Sequence, residues 1–268
     1  MRIQTLLLWF LVGEGLWWVS GCDPYRRLAK SKSLADRDSA AFGYFRRKQY
    51  ESASQLMEEL VGLYRGSLRG AEVLYHLALA RMHLKDYYAA ERYFGQLVEE
   101  YPLSPRAEEA LFMQALMNYR LSNDYDFDQR ETKKAIDQLQ VYLTLYPQGK
   151  HVEEAESMLR ELERKLELKA FHAAEVFYKI GRYRAAAVLY GDFLTYGTQA
   201  DLREEAAYKR AMAAFLMAEH SVQEKQLPRF REAEEFYRTF VREYPSSRFL
   251  PSLQSQYEHT QRVLQVPR

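Results

Sequence analysis

Few side chains in this sequence stand at spacings that carry out chemistry. Asp124, Asp126 and Asp128 alternate through a short polar stretch, as at the start of a calcium loop. Such a loop needs Gly at its sixth position and Glu at its twelfth, where Gln129 and Ala135 stand instead. An acidic loop that caps the next helix is the better reading, with Asp128 and Glu131 as its capping box. His76 and His83 share one helical face but have no third ligand in reach, which argues against a metal. Ser, His and Asp occur without the setting of a nucleophile elbow, so no catalytic triad is expected. What does recur is a combination of apolar side chains and arginines: Phe42, Phe45 and Arg46; Tyr75, Leu79 and Met82; Phe112, Leu116, Tyr119 and Arg120. Such a strip suits a peptide, because aromatic rings give contact area at low entropic cost and an arginine takes a carboxylate.

Those residues need helices to align them, and the chain repeats one helix five times. Ala90, Phe94, Leu97 and Tyr101-Pro102 set the frame. It returns as Ala135, Leu139, Tyr142 and Tyr146-Pro147, and again as Ala233, Tyr237, Phe240 and Tyr244-Pro245. Weaker copies run through Ala53, Met57, Leu60 and Tyr64, and through Ala186, Tyr190, Phe193 and Gly197. Spacings of three and four place these residues on one face, and the proline stops the helix. A partner helix before each copy makes a solenoid, not a globule. The pattern of Leu74, Leu77-Ala78, Ala90, Phe94 and Pro102 resembles the tetratricopeptide repeat, with Leu for its Trp, Ala for its Gly and Arg81 for its Tyr.

The expected architecture is therefore all-α: about five helix pairs near 35–66, 71–102, 107–147, 152–197 and 202–245, with a capping helix at 251–264. Residues 122–128 form an inserted loop in the third pair. Residues 152–180 contain no Gly or Pro and form either one long helix or two joined near 165–168. In this repeat type the first helix of each pair lines the concave face. A shift of 37 residues carries Tyr75 to Phe112 and Leu79 back to Phe42. The aromatic strip is then either an open peptide groove or a set of residues packed onto neighbouring helices by the superhelical curvature.

At 47% apolar and 28% charged the chain of 268 residues can bury a core and stay soluble. A net charge of +1 with mixed signs gives no basic face for nucleic acid, and no cofactor is implied. Arg2, the apolar run 3–12 and the small residues that follow have the form of a signal peptide over 1–21. Val19-Ser20-Gly21-Cys22 resembles a bacterial lipobox, which makes Cys22, the single cysteine, the acylated residue. Residues 22–34, with Arg26, Arg27, Lys30 and Lys32, read as a lipidated tether. Asp23 after the cysteine retains lipoproteins in the inner membrane of some bacteria, so that membrane stays open beside the outer one.

A lipobox, a tether and five degenerate repeats resemble the YfiO (BamD) family of outer membrane assembly lipoproteins. The insertion-bearing third repeat, with Asp128-Gln129-Arg130-Glu131 leading to Tyr146-Pro147, carries the more specific part of the likeness. The resemblance implies a helical adaptor with no catalytic activity, anchored in the outer membrane and facing the periplasm. Its C-terminal repeats would dock on the barrel-forming subunit BamA. Its N-terminal repeats would meet targeting signals of unfolded outer membrane proteins. A different periplasmic scaffold, serving cell-wall synthesis or secretion, is the alternative. Repeats consume residues 35–264, which leaves no room for a catalytic domain.

Overall fold

A computed structural model describes residues 23–264, and all regular structure among them is helical. A short α1 (Arg26–Ala29) comes first. Five pairs follow: α2 (Leu34–Arg46) with α3 (Tyr50–Leu63), α4 (Leu68–His83) with α5 (Tyr87–Glu100), α6 (Ala107–Leu121) with α7 (Arg130–Leu145), α8 (Val152–Lys179) with α9 (Tyr183–Tyr196), and α10 (Ala200–Glu219) with α11 (Gln223–Glu243). A last helix, α12 (Leu250–Val263), closes the stack against α10 and α11. Each helix packs mainly on its neighbours in sequence, so the chain is an array of tetratricopeptide-like pairs.

The repeated frame explains the packing. Its small position, held by Ala53, Ala90, Ala135, Ala186 and Ala233, is fully buried in every second helix. The bulky positions beside it, such as Met57, Phe94, Leu139 and Tyr190, are buried as well. Ala41, Ala78 and Ala115 answer from the first helices, so paired helices approach closely and large side chains fill the seam.

Three pairs turn in the same way. Lys48, Lys85 and Gly181 take left-handed φ values of 60°, 62° and 74°. The next amide then reaches back: Gln49 to the Tyr44 carbonyl at 3.0 Å, Asp86 to Arg81 at 3.0 Å, Arg182 to Phe177 at 2.9 Å. Glycine suits this cap because it has no Cβ to clash; the two lysines hold it at a cost.

The third pair replaces that turn with the inserted loop, and Gln129 organises it. The expected capping box is displaced: α7 starts at Arg130, whose amide donates to Asp128 at 3.1 Å, while Glu131 is buried beside Arg130. Gln129 is buried and donates to the carbonyls of Asp124 and Phe127 at 2.7 and 3.1 Å. It also accepts from Thr132 at 2.9 Å. Lys169 of α8 closes the loop by donating to the carbonyls of Tyr125 and Phe127 at 3.0 and 2.8 Å.

Of the two alternatives for residues 152–180, the structure takes the single helix, 28 residues long. The middle of α8 lies between two core clusters, one containing Leu162 and the next containing Phe171. Glu167 is buried between them. Its carboxylate accepts from the amides of Thr198 and Gln199 at 3.0 and 3.2 Å and from the Thr198 hydroxyl at 2.7 Å. Those amides open α10, so the charge sits on the positive end of that helix.

The second helix of the fifth pair, α11, begins at Gln223 and carries Pro228 inside it. The proline is the sixth residue of the helix, so α11 forgoes the bond to the Glu224 carbonyl and must fit the ring against it. The basic segment expected to be a free tether is folded onto α2. The Tyr25 ring meets Tyr44 edge-on at 5.5 Å and covers Gly43, where a Cβ would strike it. Asp23 accepts from the Tyr44 hydroxyl at 2.5 Å. One aromatic gives this charged segment an apolar hold that its composition concealed. The stretch 1–21 expected to be a signal peptide, and Cys22, the expected acylation site, lie outside the described residues.

Candidate docking surfaces

The first helices α2, α4 and α6 bring the expected strip together, and then cover its largest rings. Tyr75 and Phe112 are buried. Arg106, just before α6, lays its guanidinium 4.5 Å from the Tyr75 ring centre while its Nε donates to Glu72 at 3.0 Å. His151, just before α8, stacks on Phe112 at 4.1 Å with the planes 3° apart. Arg69 lies 4.1 Å from the Phe42 ring and holds Asp38 with two bonds, at 2.9 and 2.5 Å. The starts of α4, α6 and α8 thus each lid an aromatic of the first helix before. Tyr75 and Phe112 are core residues, as the packing alternative requires, because curvature brings the next repeat over them.

Phe42 is half-buried under its lid. In the rest of the strip Phe45, Leu79, Met82, Leu116 and Tyr119 are half-buried, and Arg46 and Arg120 are exposed. Tyr119 donates to Glu161 at 2.6 Å, and that bond, with burial, pushes its hydroxyl pKa up to about 12. Arg120 lies 5.5 Å from the Tyr87 ring. His76 packs edge-on against Phe42 and Phe45 at 4.8 and 5.1 Å, and burial holds its pKa below the usual imidazole value. His83 stacks on Tyr50 at 4.3 Å. Both histidines therefore work in packing.

A second surface, which the sequence analysis missed, lies between α9 and α11 over α10. Its apolar part is a cavity of about 700 Å³ lined by Phe177, Tyr183, Val188, Leu189 and Met217. It continues into a more polar hollow of about 460 Å³ that shares Arg184, Val188, Met217 and Arg229. Val188 is 56% exposed, and Ile180 beside the cavity is 62% exposed. Arg182, Arg184, Arg210, Lys225 and Arg229 line the two hollows, against one carboxylate, Glu232. Among the described residues none of these five cations forms an ion pair. Arg210 is packed 4.0 Å from the Phe236 ring with its Nε buried and unpartnered, and burial lowers its pKa. Arg229 donates to the Ser221 hydroxyl. The signal available was Val188 and Ile180, large apolar residues off the repeat frame.

Nearby charges behave differently. Glu175 accepts from Lys209 at 2.8 Å and lies 3.1 and 3.4 Å from His172 and Lys179. The Lys209 bond in particular holds its carboxyl down at about 2. Lys209 and Lys179 are thus paired, where the five cations of the groove are not.

Residues 39–190, more than half of the chain, match the YfiO family, described as "Outer membrane lipoprotein". The chain belongs to the YfiO family of outer membrane lipoproteins. The matched stretch reaches from α2 into α9 and leaves α10 to α12 outside it. No curated protein matches the chain. Among solved structures it is similar to the P58(IPK) TPR domain, at 14% identity and a TM-score of 0.42, over 87% of this chain and 66% of that one, just under two thirds of its length. It is also similar to a TPR repeats protein, BF2334, from Bacteroides fragilis NCTC 9343, at 12% identity and a TM-score of 0.43, over 88% of this chain and 97% of that one. At these scores the tetratricopeptide architecture stands on this chain's own helix order and buried frame. Among the described residues no helix is long and apolar enough to cross a membrane, and no group of three or more His, Cys, Asp or Glu could hold a metal.

Proposed function

We propose that this YfiO-family lipoprotein is a non-catalytic adaptor of β-barrel assembly, anchored through acylated Cys22 and facing the periplasm. The groove between α9 and α11 docks the periplasmic domains of the barrel-forming subunit BamA. The accessible part of the α2–α4–α6 strip receives the C-terminal segments of unfolded outer membrane proteins. The observation that carries the docking assignment is the groove itself: an apolar floor ringed by five cations without ion pairs among the described residues. Solvent-exposed apolar surface of this kind, rimmed by charge, marks contact sites. A partner face with apolar anchors and carboxylates would fill it and neutralise it together.

The test is co-purification in mild detergent. The wild-type lipoprotein brings down a β-barrel subunit, and the Arg184→Glu, Val188→Asp variant loses it while keeping its helicity by circular dichroism. Recovery of cell-wall or secretion proteins in place of a barrel subunit overturns this assignment.

A further inference from the structure

The cations at the N-terminal end of the array are as unpaired as those of the groove, and they stand beside the point where the chain leads to its anchor. Arg26, Arg27 and Lys30 on and after α1, and Arg46, Arg47 and Lys48 at the end of α2, are all exposed. None of them forms an ion pair among the described residues. The nearby carboxylates are otherwise engaged. Asp23 accepts from Tyr44, Asp36 accepts from Ser31 at 2.7 Å, and Asp38 is held by Arg69. Arg47 lies 5.4 Å from the Tyr25 ring, and Arg26 and Arg47 both act on Asp23, so these two charges flank the Asp23–Tyr25 segment.

That segment is clasped to the first repeat. Asp23 takes the Tyr44 hydroxyl and the Tyr25 amide, at 2.5 and 3.0 Å, and Tyr25 is seated on Gly43. Cys22 precedes Asp23 in the sequence, so an acyl chain on Cys22 would tie the bilayer to the residue that α2 clasps.

We propose that the α1–α2 end is a membrane-facing surface whose cations rest on anionic lipid headgroups, while the Asp23–Tyr44 clasp holds the array against the bilayer. This rests on the acylation of Cys22 for the anchor, but the charge contact is a separate physical claim. One acyl anchor combined with a basic patch is a known route to stable attachment, each cation near the surface adding to it.

A unique reporter is at hand, because all three tryptophans, Trp9, Trp17 and Trp18, precede Cys22 and leave with a signal peptide cut before it. Gln49→Trp puts a probe at the exposed turn next to Lys48, and Glu258→Trp puts one on α12 at the far end. The purified lipoprotein is reconstituted into phosphatidylcholine vesicles with and without phosphatidylglycerol, and quenched with acrylamide, a neutral quencher. The Gln49→Trp probe is expected to be shielded at least threefold in the phosphatidylglycerol vesicles only, and the Glu258→Trp probe in neither. Shielding should vanish in high salt and with Arg26→Glu, Arg47→Glu. Floating protein with equal quenching in both lipids overturns the charged contact and leaves acylation standing. Flotation with anionic vesicles alone supports the contact and overturns acylation; flotation with neither overturns both.

Discussion

The strip and the groove share one packing frame and finish their surfaces in opposite ways. Under the strip two cations are spent on cohesion: Arg69 lids Phe42 and holds Asp38, and Arg106 lids Tyr75 and holds Glu72. Between α9 and α11 apolar residues are left open and the cations around them form no ion pair among the described residues. The same residue types thus serve cohesion at one surface and offer a contact at the other. Pairing, not composition, separates the two.

Substitutions can break that contrast. The largest effect is expected at Phe112, which is sealed by His151 and Tyr142. Phe112→Ala should cost roughly 3–5 kcal/mol by leaving a cavity, read as a lower midpoint in urea. Val188→Asp, on an open surface, should shift that midpoint by less than about 0.5 kcal/mol. Equal destabilisation by the two would mean that the groove is as much core as the strip.

A smaller effect sharpens the C-terminal half. Glu175 is held at about 2, first by its bond to Lys209. A carboxyl depressed on folding stabilises above its unfolded value of about 4.3 and loses that contribution as pH falls toward the folded one. Glu175→Gln should therefore cost on the order of 1–2 kcal/mol at pH 7, after allowance for screening. Its stability should also be flatter than wild type between about pH 4.5 and 2. A wild-type slope in that window would remove Glu175 from the acid response.

The smallest effect is a gain. Lys85 occupies the left-handed position that Gly181 fills in the fourth pair. Lys85→Gly should stabilise by about 0.5–1 kcal/mol, seen as a rise in Tm. A fall would mean that the lysine side chain contributes more than its backbone strain costs.

Much of this was legible in sequence. The alternation of Ala90, Phe94, Leu97 and Tyr101-Pro102 is a local signal, and it carried the helix pairs and the inserted loop. Gln129 was not legible as the organiser of that loop, because its partners are backbone carbonyls and Thr132. Tyr75 and Phe112 were offered as lining of a groove and are buried. Their covers, Arg106 and His151, come from neighbouring repeats, and periodicity within one helix cannot say what the next repeat lays over it. The groove was hidden for the converse reason: absence of partners around Arg184 and Arg229 is a three-dimensional fact. Tyr25 joined the fold through one ring in a segment whose charge pointed to solvent.

The central claim is a division of labour, and one crossed titration tests it most directly. Two double variants are compared with wild type: Arg184→Glu with Val188→Asp in the groove, and Phe45→Ala with Met82→Ala in the strip. Each is titrated with the periplasmic domains of the barrel-forming subunit and with a labelled C-terminal barrel peptide. The groove pair should weaken the first ligand at least about tenfold, roughly 1.4 kcal/mol, and leave the peptide unchanged. The strip pair should do the reverse. Loss of both ligands in either folded variant, or an exchange of the two effects, would contradict the account.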